Sequence, residues 1–180
     1  VVDGFGNRIR QFMAGRDHMW TTAAERARWR ALEDAAESFA RRYFNATHVI
    51  NAKHNNGTPN PGGSNGFDLV FVNEQGRLVI GEAKSGRVTP LTAFGGGARG
   101  EAQLELNLRV LRDNVSQDIT IPRSVRDDII QQIDARSFET QLYLSPSSTI
   151  SNGRLDVFTT HLGRPLDAIY ILPETPPARD

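Results

Sequence analysis

Apolar residues recur along the 180-residue chain with two different spacings. A helical spacing, in which apolar side chains return every third or fourth position, predicts helices over residues 22–44, 101–115 and 122–136. Short apolar or alternating runs predict strands over residues 48–53, 66–72, 78–84, 138–144, 154–160 and 168–172. This order of elements predicts a single α/β domain, in which a mixed central β-sheet is flanked by helices.

Each of the first two predicted helices has an apolar face that we expect to lie against the sheet. The first begins at a capping box formed by Thr22 and Glu25. Its apolar face comprises Trp29, Leu32, Ala36, Phe39, Ala40 and Tyr43. The face of the second helix comprises Leu104, Leu108, Leu111 and Val115. The predicted domain spans residues 21–172, between an irregular segment at 1–20 and a Pro-rich tail at 173–180.

The strands at 66–72 and 78–84 each contain a carboxylate in an otherwise apolar run. Because strand side chains alternate in direction, a hairpin that pairs Val72 with Leu78 and residue 70 with residue 80 also brings Asp68 opposite Glu82. This register closes over residues 73–77, where Gly76 can adopt a positive φ. Lys84 follows Glu82 on the same face of its strand.

Two adjacent carboxylates repel each other unless a proton or a cation lies between them. They suit a hard divalent ion such as Mg²⁺, which binds a few carboxylates and keeps waters or phosphate oxygens in its remaining positions. Lys84 would then stabilise charge on a phosphate or hold a water. The spacing alone leaves a second interpretation open, in which Asp68 ends its strand and Glu82 and Lys84 form a solvated strand terminus.

The amino-acid composition and the spacing of several residues exclude some classes of catalytic and metal-binding site. The chain has no cysteine, which excludes disulfides, thiolate metal sites and a cysteine nucleophile. Its formal net charge is zero, so any binding of nucleic acid depends on local charges or on a bound metal. Its histidines lack the spacing of a zinc site, and Ser145 and Ser147 lack the surroundings of a hydrolase nucleophile. No run is long and apolar enough for a membrane span.

Gly66-Phe67-Asp68, followed by Glu82-Ala83-Lys84 at the end of an apolar strand, resembles the PD-(D/E)XK nuclease superfamily. Phe67 stands where many members have proline. The likeness is tight in the hairpin and looser over residues 22–115, and it implies a restriction-endonuclease-like core. It also implies that Asp68, Glu82 and the carbonyl of Ala83 bind Mg²⁺ or Mn²⁺ and that Lys84 is catalytic.

The same resemblance implies further site residues and partners. A glutamate of the first helix is expected to join the site: Glu37 is the first choice, with Glu33 and Glu25 as alternatives. Gln103 occupies the position of a glutamine that several members use. The expected substrate is nucleic acid, with DNA favoured over tRNA. A catalytically silent binding module is the alternative from another functional class.

Among the members of the superfamily, this chain is similar to nuclease domains of bacterial polymorphic and contact-dependent inhibition toxins. Its first residue is Val1, which favours a piece of a longer or processed protein. A toxin would be delivered from the producing bacterium, act in the cytoplasm of the target cell, and be blocked by a cognate immunity protein.

Overall fold

The computed structural model describes residues 22–52, 66–88, 100–150 and 162–172. Within these ranges the helices are α1 (Thr22–Tyr43), α2 (Gly100–Gln117) and α3 (Arg123–Asp134). The strands are β1 (His48–Val49), β2 (Leu69–Val72), β3 (Leu78–Lys84), β4 (Arg87–Val88), β5 (Glu139–Leu144), β6 (Thr149–Ile150) and β7 (Ala168–Ile171). None of the described helices combines the length and the apolar character needed to cross a membrane.

Five of the strands form one mixed sheet in the order β1-β2-β3-β5-β7. The β1–β2 and β2–β3 pairs are antiparallel, whereas β5 pairs in parallel with both β3 and β7. The predicted mixed α/β architecture is therefore confirmed. Strands β4 and β6 form a separate parallel pair immediately beyond the ends of β3 and β5. The sequence did not predict this pair, because two-residue strands are too short to show a periodicity.

Apolar side chains cover both faces of the sheet. On one face, Leu78 and Ile80 belong to a core cluster that contains the predicted apolar residues of α2. On the other, Val79 and Phe71 belong to a cluster with Leu32, Ala36, Phe39 and Ala40 of α1. Strand β3 is consequently central and buried on both sides, which explains its nearly continuous apolar run.

Several predicted boundaries differ from those in the structure. The strand predicted at 66–72 begins at Leu69. The strand predicted at 48–53 is shorter than expected and comprises only His48–Val49. Tyr43 was predicted to be buried, but it is 54 % exposed at the last position of α1. Its ring contacts Phe39 at a centroid distance of 4.5 Å. The predicted strand at 154–160 lies outside the described residues.

Candidate active site

The β2–β3 hairpin has the predicted register. Val72 pairs with Leu78, Val70 with Ile80, and Leu69 with Gly81. The connecting turn closes because Asn73 accepts two main-chain hydrogen bonds on Oδ1, from the N–H groups of Gln75 at 3.0 Å and Arg77 at 2.9 Å. Gly76 has a φ of +75°, as predicted for that position.

Asp68 lies immediately before β2, where the backbone ladder with β3 ends. Its Oδ2 accepts a hydrogen bond from the N–H of Ala83 at 2.9 Å. The carboxylate thus replaces the main-chain acceptor that β2 would otherwise supply. It links the residue before β2 to the end of β3. This bond also brings Asp68 beside Glu82, because residues 82 and 83 are adjacent on β3.

Glu82 is only 5 % exposed. Its Oε2 accepts a hydrogen bond from Lys84 Nζ at 2.8 Å, so that the two side chains form an ion pair on the same face of β3. Burial is the largest cause that raises the pKa of Glu82, Lys84 opposes it, and the charge of Asp68 and a hydrogen bond with its carboxyl group add to it; the resulting pKa is about 7. The two carboxyl groups therefore interact as predicted, although Asp68 precedes β2 and does not pair with Glu82 in the strand ladder. The solvated-terminus interpretation does not describe Glu82, because its side chain is buried.

Lys84 is held in its charged form. The negative charge of Glu82 is the largest cause that raises the Lys84 pKa above its usual value, and burial opposes it. The charge of Asp68, the hydrogen bond that Lys84 donates to Glu82 and the charge of Glu33 raise this pKa further. The side chain remains 30 % exposed, so the ammonium lies at the border between the protein and solvent.

The glutamates of α1 differ in their surroundings. Glu33 is half-buried and lies close enough to Lys84 for its charge to raise the lysine pKa. Glu37, the first choice from the sequence, instead pairs with Arg41 one helical turn away, at 2.9 Å from Arg41 Nη2 to Glu37 Oε1. Glu33 is thus the helix glutamate that the described contacts bring toward the site, and a role for Glu37 remains a prediction. The side chain of Glu25 lies outside the described part of the chain.

Gln103 is buried on α2. Its Nε2 donates a hydrogen bond to Oδ1 of Asn107, one turn further along the same helix, at 2.9 Å. This contact gives the amide a partner within α2 and does not link it to Asp68 or Glu82, so that its participation in the site remains a prediction.

The residues at the end of the hairpin fit a hard divalent cation. Asp68 and Glu82 bring carboxylate oxygens, the donors that such an ion prefers, to the same end of the hairpin. Since the N–H and C=O of a strand residue point toward the same neighbouring strand, the carbonyl of Ala83 also faces the Asp68 side of β3. A cation there would stabilise the charged form of Glu82, which burial disfavours. The ranges that the structure describes contain no cluster of three or more His, Asp or Glu side chains that could hold a metal.

Two features of the site gave no signal in the sequence. The carbonyl of Lys84 accepts hydrogen bonds from Ser148 Oγ at 3.0 Å and from the N–H of Ser145 at 3.3 Å. Gly81 lies against the ring of Tyr143, such that a Cβ at position 81 would come within 2.8 Å of Tyr143 Cε2. These contacts join β3 to β5 and to the turn that follows β5, and they depend on a parallel pairing whose register the sequence does not specify.

Comparisons of the chain with protein-family models, with curated proteins and with solved structures gave no match.

Proposed function

We propose that this chain is a metal-dependent nuclease with a restriction-endonuclease-like core, which hydrolyses phosphodiester bonds in nucleic acid. The observation that carries the proposal is the ion pair of the buried Glu82 with Lys84 beside the Asp68 carboxylate, at the end of a central hairpin. Burying the carboxyl group of Glu82 beside a second carboxyl group costs stability, and carboxyl groups with shifted pKa values concentrate at functional sites.

In this proposal Asp68, Glu82 and the carbonyl of Ala83 hold Mg²⁺ or Mn²⁺. When bound, such an ion polarises the phosphoryl group and lowers the pKa of a coordinated water. The Ala83 N–H also holds the Asp68 carboxylate beside Glu82, so that the oxygen donors are preorganised.

Lys84 acts as a fixed cation and not as a general base. Its pKa is raised above the usual lysine value, so the ammonium keeps its proton at any physiological pH. A protonated lysine cannot accept a proton from water, but it can orient a water or stabilise negative charge that develops on the phosphate. Its partial exposure leaves it accessible to a substrate.

DNA is the favoured substrate and tRNA the alternative, as the resemblance to the superfamily suggests. On the same basis, we propose that the chain is the toxic domain of an interbacterial toxin and that a cognate immunity protein blocks its site. Delivery into the cytoplasm of a target cell would give it access to either nucleic acid.

The direct test incubates the purified chain with plasmid DNA and with total RNA, in Mg²⁺ or in EDTA. Asp68→Asn retains an oxygen that can accept from Ala83 and removes the charge, and Lys84→Met removes the ammonium with little change in length. We expect wild-type cleavage only with Mg²⁺, and a loss of about a hundredfold or more in kcat for either variant.

The matched control is Asp134→Asn, which removes a surface carboxylate paired with Arg112 at 2.9 Å between α2 and α3. It should cut as well as the wild type. Cleavage that persists in EDTA, or variants as active as the control, would contradict the proposal. Binding of either nucleic acid without cleavage would support the silent binding module instead.

A further inference from the structure

The main chain at Lys84 is held by a turn that follows β5. Residues 145–148 form this turn, and Ser148 within it is fully buried. Ser148 Oγ donates to the carbonyl of Lys84 at 3.0 Å, and the N–H of Ser145 donates to the same oxygen at 3.3 Å. The neighbouring bond from Thr149 N–H to the Gly86 carbonyl, at 2.8 Å, continues the attachment into β4 and β6.

The serine hydroxyls form a chain whose direction is fixed by the carbonyl. Ser145 Oγ lies 3.0 Å from both Ser148 Oγ and Ser147 Oγ. A carbonyl oxygen can only accept, so the single hydroxyl proton of Ser148 is donated to the Lys84 carbonyl. The Ser148 hydroxyl must therefore accept its second hydrogen bond from Ser145. Ser145 in turn accepts from Ser147. Hydrogen bonds strengthen one another when each hydroxyl in a chain both accepts and donates. The chain from Ser147 through Ser145 therefore strengthens the bond from Ser148 to the Lys84 carbonyl.

On the β2 side, the backbone ladder among the described residues ends before β3 reaches Lys84. The backbone ladder to β2 ends at the pair of Leu69 and Gly81, and beyond it Asp68 provides a side-chain bond to Ala83. Lys84 is the last residue of β3, where strands fray unless they are attached. The position of its main chain therefore depends on β5 and on the serine turn.

We propose that Ser148 is a positioning residue, whose buried hydroxyl fixes the main chain at Lys84 and so holds the ammonium against Glu82. The contribution of Ser148 to cleavage rests on the proposed nuclease function, whereas its hold on Lys84 does not. An ammonium displaced from a preorganised site loses transition-state stabilisation without changing the binding of the rest of the substrate.

The experiment compares the wild type with Ser148→Ala. The chain contains only two lysines, Lys53 and Lys84, so biosynthetic ¹³C labelling of lysine gives two Cε signals, which a Lys53→Arg sample assigns. At a fixed pH in EDTA, we expect Ser148→Ala to shift or broaden the Lys84 signal and leave the Lys53 signal unchanged. With Mg²⁺ and nucleic acid, we expect kcat to fall about tenfold with little change in KM.

Ser116→Ala is the matched control, because Ser116 Oγ also donates to a main-chain carbonyl, that of Asp113, at 2.8 Å on the exposed side of α2. It should leave both lysine signals and kcat unchanged. Should Ser148→Ala fail to fold, Ser145→Ala replaces it. That variant keeps the main-chain bond to Lys84 and removes only the hydroxyl that donates to Ser148.

An unchanged Lys84 signal in a folded Ser148→Ala or Ser145→Ala variant would overturn the inference. A wild type that cuts nothing would overturn the nuclease proposal, and the lysine signals would still decide whether Ser148 holds Lys84.

Discussion

Burial and neighbouring charges act on Glu82 in opposite directions. Burial favours its neutral form, Lys84 favours the charged form, and Asp68 again favours the neutral one, with a pKa of about 7 as the result. The unfolded chain has a glutamate pKa near 4.5. Between these two values the folded state holds a proton that the unfolded state has released, so the free energy of unfolding falls as the pH rises through this window.

We predict that Glu82→Gln removes this pH dependence in metal-free protein. A glutamine occupies nearly the same volume but binds no proton, so that the loss of up to about 3 kcal/mol which Glu82 contributes in the wild type should be absent from the variant. Urea unfolding in EDTA, at several pH values between 4.5 and 7, measures the difference between the two proteins.

The control for this measurement is Glu105→Gln, a surface carboxylate whose partner is Arg136. It should retain the wild-type slope, because it leaves Glu82 and its surroundings unchanged. A Glu82→Gln slope that equals the wild-type slope would show that Glu82 is ionised throughout the window.

The site residues of the hairpin could be predicted because side chains alternate in direction along a strand, so that the register decides which side chains share a face. Apolar pairs such as Val70 with Ile80 specify the register, and that register leaves Asp68 and Glu82 together. The choice between Glu33 and Glu37 was different. Both lie one turn apart on α1, and only the packing of that helix on the sheet decides which of them lies near Lys84.

At the level of the elements, the close contact of β3 and β5 requires a glycine at position 81. A Cβ there would lie 2.8 Å from Cε2 and 3.4 Å from Cδ2 of Tyr143, and 3.5 Å from the Cβ of Leu69. The Tyr143 ring cannot move away easily, since it is fully buried and stacks on Tyr170 with centroids 5.6 Å apart. Glycine is therefore a packing requirement immediately before Glu82.

We predict that Gly81→Ala lowers the free energy of unfolding by about 1–3 kcal/mol, the usual cost of overpacking a core. The double variant Gly81→Ala with Tyr143→Leu removes the ring that meets the new methyl group. Its loss should be smaller than the sum of the two single losses, as measured by urea unfolding of all four proteins. Additive losses would contradict a steric origin.

Element types were easier to predict than element partners. The helical and strand-like spacings specified the helices and longer strands because each pattern is local. The parallel pairing of β3 with β5 joins segments separated by α2 and α3, and no local pattern records it. The contacts of Ser148 and Tyr143 with β3 follow from that pairing and were missed for the same reason.

For the whole molecule, a formal net charge of zero means that no overall field attracts a polyanion. The attraction must come from local groups such as Lys84, and in the proposed function from a bound divalent ion as well. The ion would also link the site to the stability of the entire domain, because a ligand that binds only the folded state stabilises that state.

We therefore predict that Mg²⁺ raises the Tm of the chain and that the increase depends on pH. At a concentration about ten times Kd, the stabilisation is about 1.4 kcal/mol, which corresponds to a Tm increase of about 3–6 °C for a chain of this size. Because binding requires ionised Glu82, one pH unit below its pKa of about 7 the affinity should be about tenfold weaker and the increase correspondingly smaller. Thermal unfolding with and without Mg²⁺, one unit above and one unit below that pH, measures both effects.

Asp68→Asn should show no increase at either pH, whereas Asp134→Asn, which alters a carboxylate on the surface between α2 and α3, should behave as the wild type. An equal increase in wild type and Asp68→Asn would mean that Mg²⁺ binds elsewhere, because only the wild type retains both carboxylates of the hairpin.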